Sequence, residues 1–209
     1  MVDRFLLGIY RRWLPAGVLW QVSTREKVVY LTFDDGPIPE LTLEILEILD
    51  QYNAKATFFC VGENVRKHPS LFREIMQKGH AVGNHTNFHV KGTRGGFNRY
   101  MEDIRQAGAL IDTTLFRPPH GLITRRQVKV LSKEFRIVMW SVLTRDFDRR
   151  VNPEECLKRA INGIRPGAII VFHDNLKARE KVLFALPRLL EYLGKEGYRA
   201  ETLGQVKSK

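Results

Sequence analysis

The sequence of this 209-residue chain predicts one α/β domain whose parallel strands form a closed or nearly closed barrel. Strand-like and helix-like segments alternate regularly from residue 27 onward. About seven such units follow one another with no obvious switch point in their order. The alternative is an open doubly wound sheet, but no glycine-rich dinucleotide-binding fingerprint follows the first strand.

The first half of this alternation contains three strands and two helices. Lys27–Phe33 is rich in β-branched and aromatic residues, which is typical of a buried strand. Leu41–Tyr52 has apolar residues at helical spacing, and Thr57–Val61 is the second strand. Pro69–Lys78 is a helix that a glycine closes, and it is followed by a short third strand, His80–Gly83.

The second half repeats the pattern four more times. Asn98–Asp112 and Thr124–Phe135 are helices on either side of Leu115–Arg117, a strand that ends at two prolines. Arg136–Leu143 is a strongly apolar fifth strand. The remaining elements are the helix Pro153–Ile164, with proline at its start, the strand Gly167–Phe172, the helix Val182–Lys195 and the strand Tyr198–Thr202.

Composition limits the classes of partner. The net charge is +11, from 34 Lys and Arg against 23 Asp and Glu, which favours anionic surroundings such as nucleic acid, anionic lipid or acidic glycans. The basic residues are scattered and form no arginine-rich block or RNA-binding signature, so we expect no nucleic-acid partner. Cys60 and Cys156 do not make a disulfide framework, and Cys60 lies in an apolar run typical of a buried thiol.

We assign residues 1–26 to an N-terminal extension packed on the barrel, and residues 27–209 to the domain itself. No apolar stretch is long enough to span a membrane, and no signal-peptide cleavage site follows the N-terminal segment. We therefore expect a cytoplasmic protein, with export by another route left open. The oligomeric state cannot be read from the sequence.

The N-terminal segment also has an amphipathic pattern. Phe5, Ile9 and Trp13 share one helical face, which would suit a membrane surface. The basic residues on other faces are Arg4, Arg11 and Arg12. Many surface helices show this pattern, so we favour packing on the domain over peripheral membrane contact.

Ionisable residues follow five of the predicted strands at their carboxyl ends. In a β/α barrel these ends meet at one rim, where functional residues collect. A solvated Asp-Asp-Gly-Pro turn would also explain the first group taken alone. The groups are Asp34-Asp35, His85 with His89, Arg117-Pro118-Pro119-His120-Gly121, Asp146 and His173-Asp174.

The spacing of the two histidines predicts a metal site. His85 and His89 are four residues apart, so both imidazoles would face the same way on a helical turn. With a carboxylate from Asp34 or Asp35 they make a two-histidine, one-carboxylate set, although a pair of surface histidines has the same spacing. Zinc is the preferred ion, and manganese, cobalt, nickel or iron are alternatives. The remaining carboxylate could be a general base, and His173 a general acid unless it is a core histidine.

From about Lys27 to the C-terminus the chain resembles the polysaccharide deacetylases of the NodB-homology type, carbohydrate esterase family 4. Thr32–Pro37 matches the first motif of this family, and His85–His89 matches the second, His-Ser/Thr-x-x-His. The resemblance implies a distorted (β/α)7 barrel over residues 27–209. It also implies a metal-dependent hydrolase of non-peptide carbon–nitrogen bonds, which removes N-acetyl groups from peptidoglycan or chitin-like sugars.

The resemblance also implies a role for each motif residue. Asp35, His85 and His89 would hold the metal. Asp34 would be the base that activates the attacking water, and Arg117 would pair with it and keep it ionised.

Three further roles come from the later motifs. His173 would be the general acid, with Asp146 tuning its charge. The backbone N–H of His120 would help the metal to hold the oxyanion.

Four residues depart from the family pattern. Three of them, His120, Phe147 and Val171, belong with Pro119 to the oxyanion and substrate wall, and the fourth, Leu143, removes a polar partner near the site. His120, which follows Pro119, replaces the usual Tyr. Leu143 and Phe147 replace Asp and Trp of the fourth motif, and Val171 replaces Leu of the fifth. The identity of the substrate is therefore open, and a lipid-linked sugar, a formyl amide or a small cyclic amide are alternative substrates. A non-catalytic glycan-binding protein is an alternative to the enzyme.

Overall fold

A computed structural model describes residues 13–15 and 17–205. The strands within these residues are β1 (Val18–Leu19), β2 (Val28–Asp34), β3 (Ala56–Cys60), β4 (Ala81–Asn84), β5 (Leu115–Phe116), β6 (Arg136–Val138), β7 (Val142–Leu143), β8 (Ile169–His173) and β9 (Arg199–Ala200). The helices are α1 (Pro39–Gln51), α2 (Gly62–Lys67), α3 (Pro69–Gln77), α4 (Phe97–Gly108), α5 (Arg125–Leu131), α6 (Pro153–Asn162) and α7 (Arg179–Lys195).

The strands form one parallel sheet in the order β1-β6-β5-β4-β3-β2-β8-β7, and β9 pairs with the start of β2. The two ends of this order are joined by the chain itself. β6 pairs with β5, whereas β7, only a few residues later, pairs with β8. The sheet therefore curls round on itself, and the predicted distorted β/α barrel is confirmed.

The single strand predicted over Arg136–Leu143 is thus two strands. After β6 the chain leaves β5, and the Ser141 N–H donates to the Ile169 carbonyl of β8 at 3.0 Å. The residues between these strands bridge the gap between the two edges of the sheet. The sequence pattern is mostly apolar on both sides of this break because both halves are largely buried, so the pattern alone does not indicate the change of partner strand.

The described part of the predicted N-terminal extension helps to close the same gap. β1 pairs with β6, and the Val22 N–H donates to the Gly167 carbonyl at 2.9 Å. Trp20 and Val22 are buried, at 7% and 8% exposure. Residues 1–12, with most of the predicted amphipathic face, lie outside the described residues, and the domain boundary at residue 26 stays a prediction. Within the described chain, no helix has both the length and the apolar composition to cross a membrane.

The alternation along β2 separates the core from the site. Phe33 points towards the surrounding helices and stacks between Phe58 and Phe172, with ring centres 5.0 Å and 5.9 Å away. Because successive side chains of a strand point to opposite faces, Thr32 and Asp34 point into the barrel. The same strand thus anchors the core and delivers the first ionisable residue to the rim.

Candidate active site

Asp34 and Asp35 are adjacent in sequence but lie in different environments. Asp34 ends β2 and is nearly fully buried. Asp35 has a φ of 89°, in the left-handed region, so it does not continue the alternation of β2, and both carboxylates line the same cavity. Each carboxylate has its own partners, and these offset the repulsion expected of the pair.

Arg117 is the partner of Asp34. Its Nη1 lies 2.7 Å from Asp34 Oδ1 and 2.7 Å from Thr32 Oγ1. Its other guanidinium nitrogens donate to the carbonyls of Val138 at 3.2 Å and Met139 at 2.9 Å. Burial lowers the pKa of Arg117, while Asp34 counteracts this effect. A fully buried guanidinium with four acceptors holds the Asp34 carboxylate in one orientation.

The candidate metal centre is formed by Asp35, His85 and His89. One ligand atom from each lies within 4.8 Å of the others. Asp35 Oδ1 is 3.6 Å from His85 Nε2 and 3.1 Å from His89 Nε2. Nδ1 of His85 lies 2.8 Å from the Arg117 carbonyl, which can only accept a hydrogen bond, so Nδ1 is the donor and Nε2 is the ring nitrogen that faces Asp35.

This donor set fits a divalent cation. Asp35 Oδ1 is buried and accepts no hydrogen bond from the described residues, whereas Oδ2 accepts one from Asn175 Nδ2 at 2.6 Å. Burial raises the pKa of Asp35, but the imidazoles of His85 and His89 more than offset it, so the pKa lies well below its usual value. An ionised oxygen and two imidazole nitrogens suit zinc and similar ions.

The two histidines are brought together by a loop, not by the helical turn that their spacing suggests. Thr86 and His89 have left-handed φ values of 65° and 53°. The loop is tied to α4, because Asp103 Oδ2 accepts from the N–H groups of Asn87 at 2.9 Å and Phe88 at 3.2 Å. Spacing alone could not distinguish this loop from a helix.

His173 lines the same cavity as the metal centre, at the end of β8 and in register with Asp34 of the neighbouring β2. Its Nδ1 is 2.8 Å from Asp146 Oδ1, and its backbone N–H donates to Asp146 Oδ2 at 2.5 Å. Burial lowers the pKa of His173, but the Asp146 carboxylate outweighs it and the pKa rises to about 9. The imidazole is therefore protonated at neutral pH, with Nε2–H free of Asp146.

His120 lies beside the metal centre on a short 3-10 turn, Pro119–Gly121. Its φ is 60°, and its ring centre is 4.7 Å from that of His89. Burial and the neighbouring His89 lower the pKa of His120 to about 4, so this imidazole is neutral at pH 7. It can accept or donate a hydrogen bond without adding charge.

These groups line one cavity of about 610 Å³, which we call the catalytic cavity. It brings together the predicted residues Asp34, Asp35, His85, His89, His120, Gly121, Leu143, Phe147, Val171 and His173. The predicted residues Arg117, Pro119 and Asp146 are buried and are not among its lining residues.

The sequence reasoning missed six lining residues: Trp20, Leu122, Met139, Trp140, Asn175 and Lys177. Trp20 was placed in the extension. Asn175 and Lys177 follow His173 so closely that they could have been included with the fifth motif. The other three have the apolar character of core residues, and no local signal separates core from cavity.

Membership of a protein family follows from sequence matches that cover most of the chain. A sequence model of the polysaccharide deacetylase family matches residues 21–134. A peptidoglycan-N-acetylglucosamine deacetylase of Bacillus cereus is 33% identical over 201 residues, which cover 92% of this chain and 94% of that protein. The chain belongs to the polysaccharide deacetylase family, as its motifs predicted.

Two further relatives extend the comparison. A chitooligosaccharide deacetylase of Azorhizobium caulinodans is 31% identical over 199 residues, covering 90% of this chain and 88% of that protein. The crystal structure of a peptidoglycan N-acetylglucosamine deacetylase, in complex with a naphthalenyl N-oxidanyl-benzamide, superposes with a TM-score of 0.86. That structure is 31% identical, and the match covers 93% of this chain and 97% of that one.

Proposed function

We propose that this protein is a metal-dependent hydrolase that removes N-acetyl groups from an N-acetylated glycan and releases acetate. The observation that carries the proposal is the separation of the two adjacent carboxylates. Asp34 is paired with a buried arginine, Asp35 faces two histidines, and both line a cavity with a protonated histidine. This is the arrangement that amide hydrolysis needs: a base, a metal-ligand set and an acid around one space.

Asp35, His85 and His89 would hold the cation, with zinc the proposed ion and manganese, cobalt, nickel or iron as alternatives. When bound, such an ion polarises a carbonyl oxygen and lowers the pKa of water. Asn175 orients the Asp35 carboxylate, and the Arg117 carbonyl orients the His85 ring, so the chain itself fixes the ligands.

The proton movements fall to two residues. Asp34, oriented by its ion pair with Arg117, accepts a proton from the water that attacks the amide carbon. His173, held protonated by Asp146, donates its Nε2 proton to the amide nitrogen as the carbon–nitrogen bond breaks. Water supplies the new oxygen of acetate, and the sugar keeps a free amine. The His120 backbone N–H is the proposed donor to the oxyanion.

The experiment is acetate release from chito-oligosaccharides, peptidoglycan fragments and lipid-linked sugars, with and without a chelator. We expect release from at least one N-acetylated glycan, loss with the chelator and recovery with added zinc. Alanine variants of Asp35, His85 and His89 are expected to lose bound metal by elemental analysis. Undiminished acetate release by the metal-free protein, or full metal retention by these variants, would reject the proposal.

A further inference from the structure

A second groove adjoins the catalytic cavity and is strongly cationic. It encloses about 580 Å³ and shares Leu143, Phe147 and Lys177 with that cavity. Its other lining residues are Arg145, Asp148, Arg149 and Arg150. Four cations and one carboxylate surround it, which leaves three uncompensated positive charges, and we call it the cationic groove.

The cationic groove is built by the two loops that carry the proposed acid and its partner. Arg145, Arg149 and Arg150 flank Asp146 in the loop after β7, and Lys177 follows His173 in the loop after β8. The chain thus concentrates positive charge within a few residues of the reacting groups. Like charges held together in this way repel one another unless an anion joins them.

Asp148 arranges two of the arginines but does not neutralise the groove. Its carboxylate accepts from Arg145 Nη2 at 2.5 Å and from Arg150 Nε and Nη2 at 3.0 Å and 2.9 Å. Arg149 and Lys177 are exposed, and their side chains contact no acceptor among the described residues. Two prearranged guanidinium groups and two free cations are suited to carboxylate or phosphate oxygens.

We infer that the cationic groove binds an anionic group, a carboxylate or a phosphate, that the glycan substrate carries next to the N-acetylated sugar. The inference rests on the proposed function of the adjoining catalytic cavity. Phe147, 41% exposed and shared by both spaces, would contact the apolar face of the connecting sugar. The substrate would therefore be an anionic N-acetylated glycan, not a neutral chitin-like one.

The test compares four probes, in two matched pairs, on the whole protein. They are the neutral tetramer of N-acetylglucosamine, a peptide-free tetrasaccharide of alternating N-acetylglucosamine and N-acetylmuramic acid, and N-acetylglucosamine 1-phosphate against N-acetylglucosamine. Calorimetry gives each Kd, and acetate release gives each kcat/KM. We expect about a tenfold preference, equivalent to about 1.4 kcal/mol, for the carboxylate-bearing or the phosphate-bearing probe over its neutral counterpart. The preferred pair identifies the anion.

The variant Arg149→Gln/Lys177→Gln should lose most of this preference, and about 1 M salt should weaken it in the native protein. A matched control is Arg73→Gln/Lys129→Gln, which removes two exposed cations that line neither space and should keep the preference. Equal binding of anionic and neutral probes, or equal loss in both double variants, would overturn the inference. No acetate release from any probe, with the binding preference intact, would instead overturn the proposed function.

Discussion

The catalytic cavity has two walls that differ in how their residues are held. The reactive wall consists of Asp34, Asp35, His85, His89 and His173, and the apolar wall of Trp20, Met139, Trp140, Leu143 and Phe147. In the reactive wall, Asp34, His85 and His173 are oriented by Arg117 and Asp146 through hydrogen bonds of 2.7–2.8 Å. Proton transfer needs such directional contacts, because a small misplacement of a reacting group costs rate.

In the proposed function the apolar wall would meet the substrate through surface contact, which tolerates replacement of one apolar residue by another. Of the four departures from the family pattern, Leu143 and Phe147 belong to this wall, His120 lies beside the metal centre, and Val171 lines the same cavity. The comparison of the two walls teaches that the residues of the reactive wall can be retained while the residues that would select the substrate change.

The largest expected effect comes from removing the charge of Asp34. Asp34→Asn should lower kcat about 10²–10⁴-fold, since a general base contributes on this scale, while bound metal is retained because Asp34 is outside the ligand set. Acetate release and elemental analysis measure the two effects. Asp50→Asn, which alters an exposed carboxylate paired with Lys78, is the control. Near wild-type turnover in Asp34→Asn would reject Asp34 as the base.

The next largest effect is on stability. Arg117→Met should lower the free energy of unfolding by about 3–5 kcal/mol, because it leaves the buried Asp34 without its partner. Asp34→Leu/Arg117→Met should recover much of this loss, since no buried charge of the pair remains. Denaturant unfolding measures both. Additive losses in the double variant would show that the pair is not coupled.

The pH dependence of His173 is a smaller effect with a definite sign. Asp146 raises its pKa to about 9, so the acid is protonated below this pH and kcat/KM should fall as the pH rises through about 9. In Asp146→Asn the burial that lowers the pKa of His173 remains, but the carboxylate that raises this pKa is lost. The alkaline limb of the pH profile of kcat/KM should therefore move to lower pH. A pH profile of acetate release measures the limb. An unshifted limb in the variant would separate Asp146 from the ionisation of His173.

The smallest effect is expected in the apolar wall. Phe147→Trp should change kcat/KM for the N-acetylglucosamine tetramer by less than about tenfold, and the unfolding free energy by less than about 0.5 kcal/mol, because the ring is partly exposed. The alkaline limb of the pH profile of kcat/KM should not move in this variant. A large loss of turnover with this substitution would show that the two walls are not independent.

Much of the site could be predicted because each element contributes its residues locally. Thr32–Pro37 contains the end of a strand and the turn after it, and His85–His89 contains a whole ligand loop. Since parallel strands bring their carboxyl ends to one rim, the grouping of these segments follows from the alternation alone. The motifs therefore predicted the family and the residues of the reactive wall, but only part of the remaining cavity lining.

Contacts between distant segments could not be predicted in this way. The loop geometry at Thr86 and His89 depends on Asp103 of α4, and Trp20 reaches the cavity only because β1 pairs with β6. Likewise, Arg149 and Lys177 form one groove because two loops, after β7 and after β8, lie side by side. The hydrophobic pattern within a single segment does not indicate which distant segment it will contact.

The sequence by itself determined the alternating barrel, the family and the chemical types at the rim, because strand period, turn residues and motif spacing are short-range properties of the chain. Only the tertiary structure decided the split of residues 136–143 between β5 and β8, the separate partners of Asp34 and Asp35, and the cationic groove. These depend on packing between residues far apart in sequence, where burial and charge are set by neighbours that local patterns do not specify.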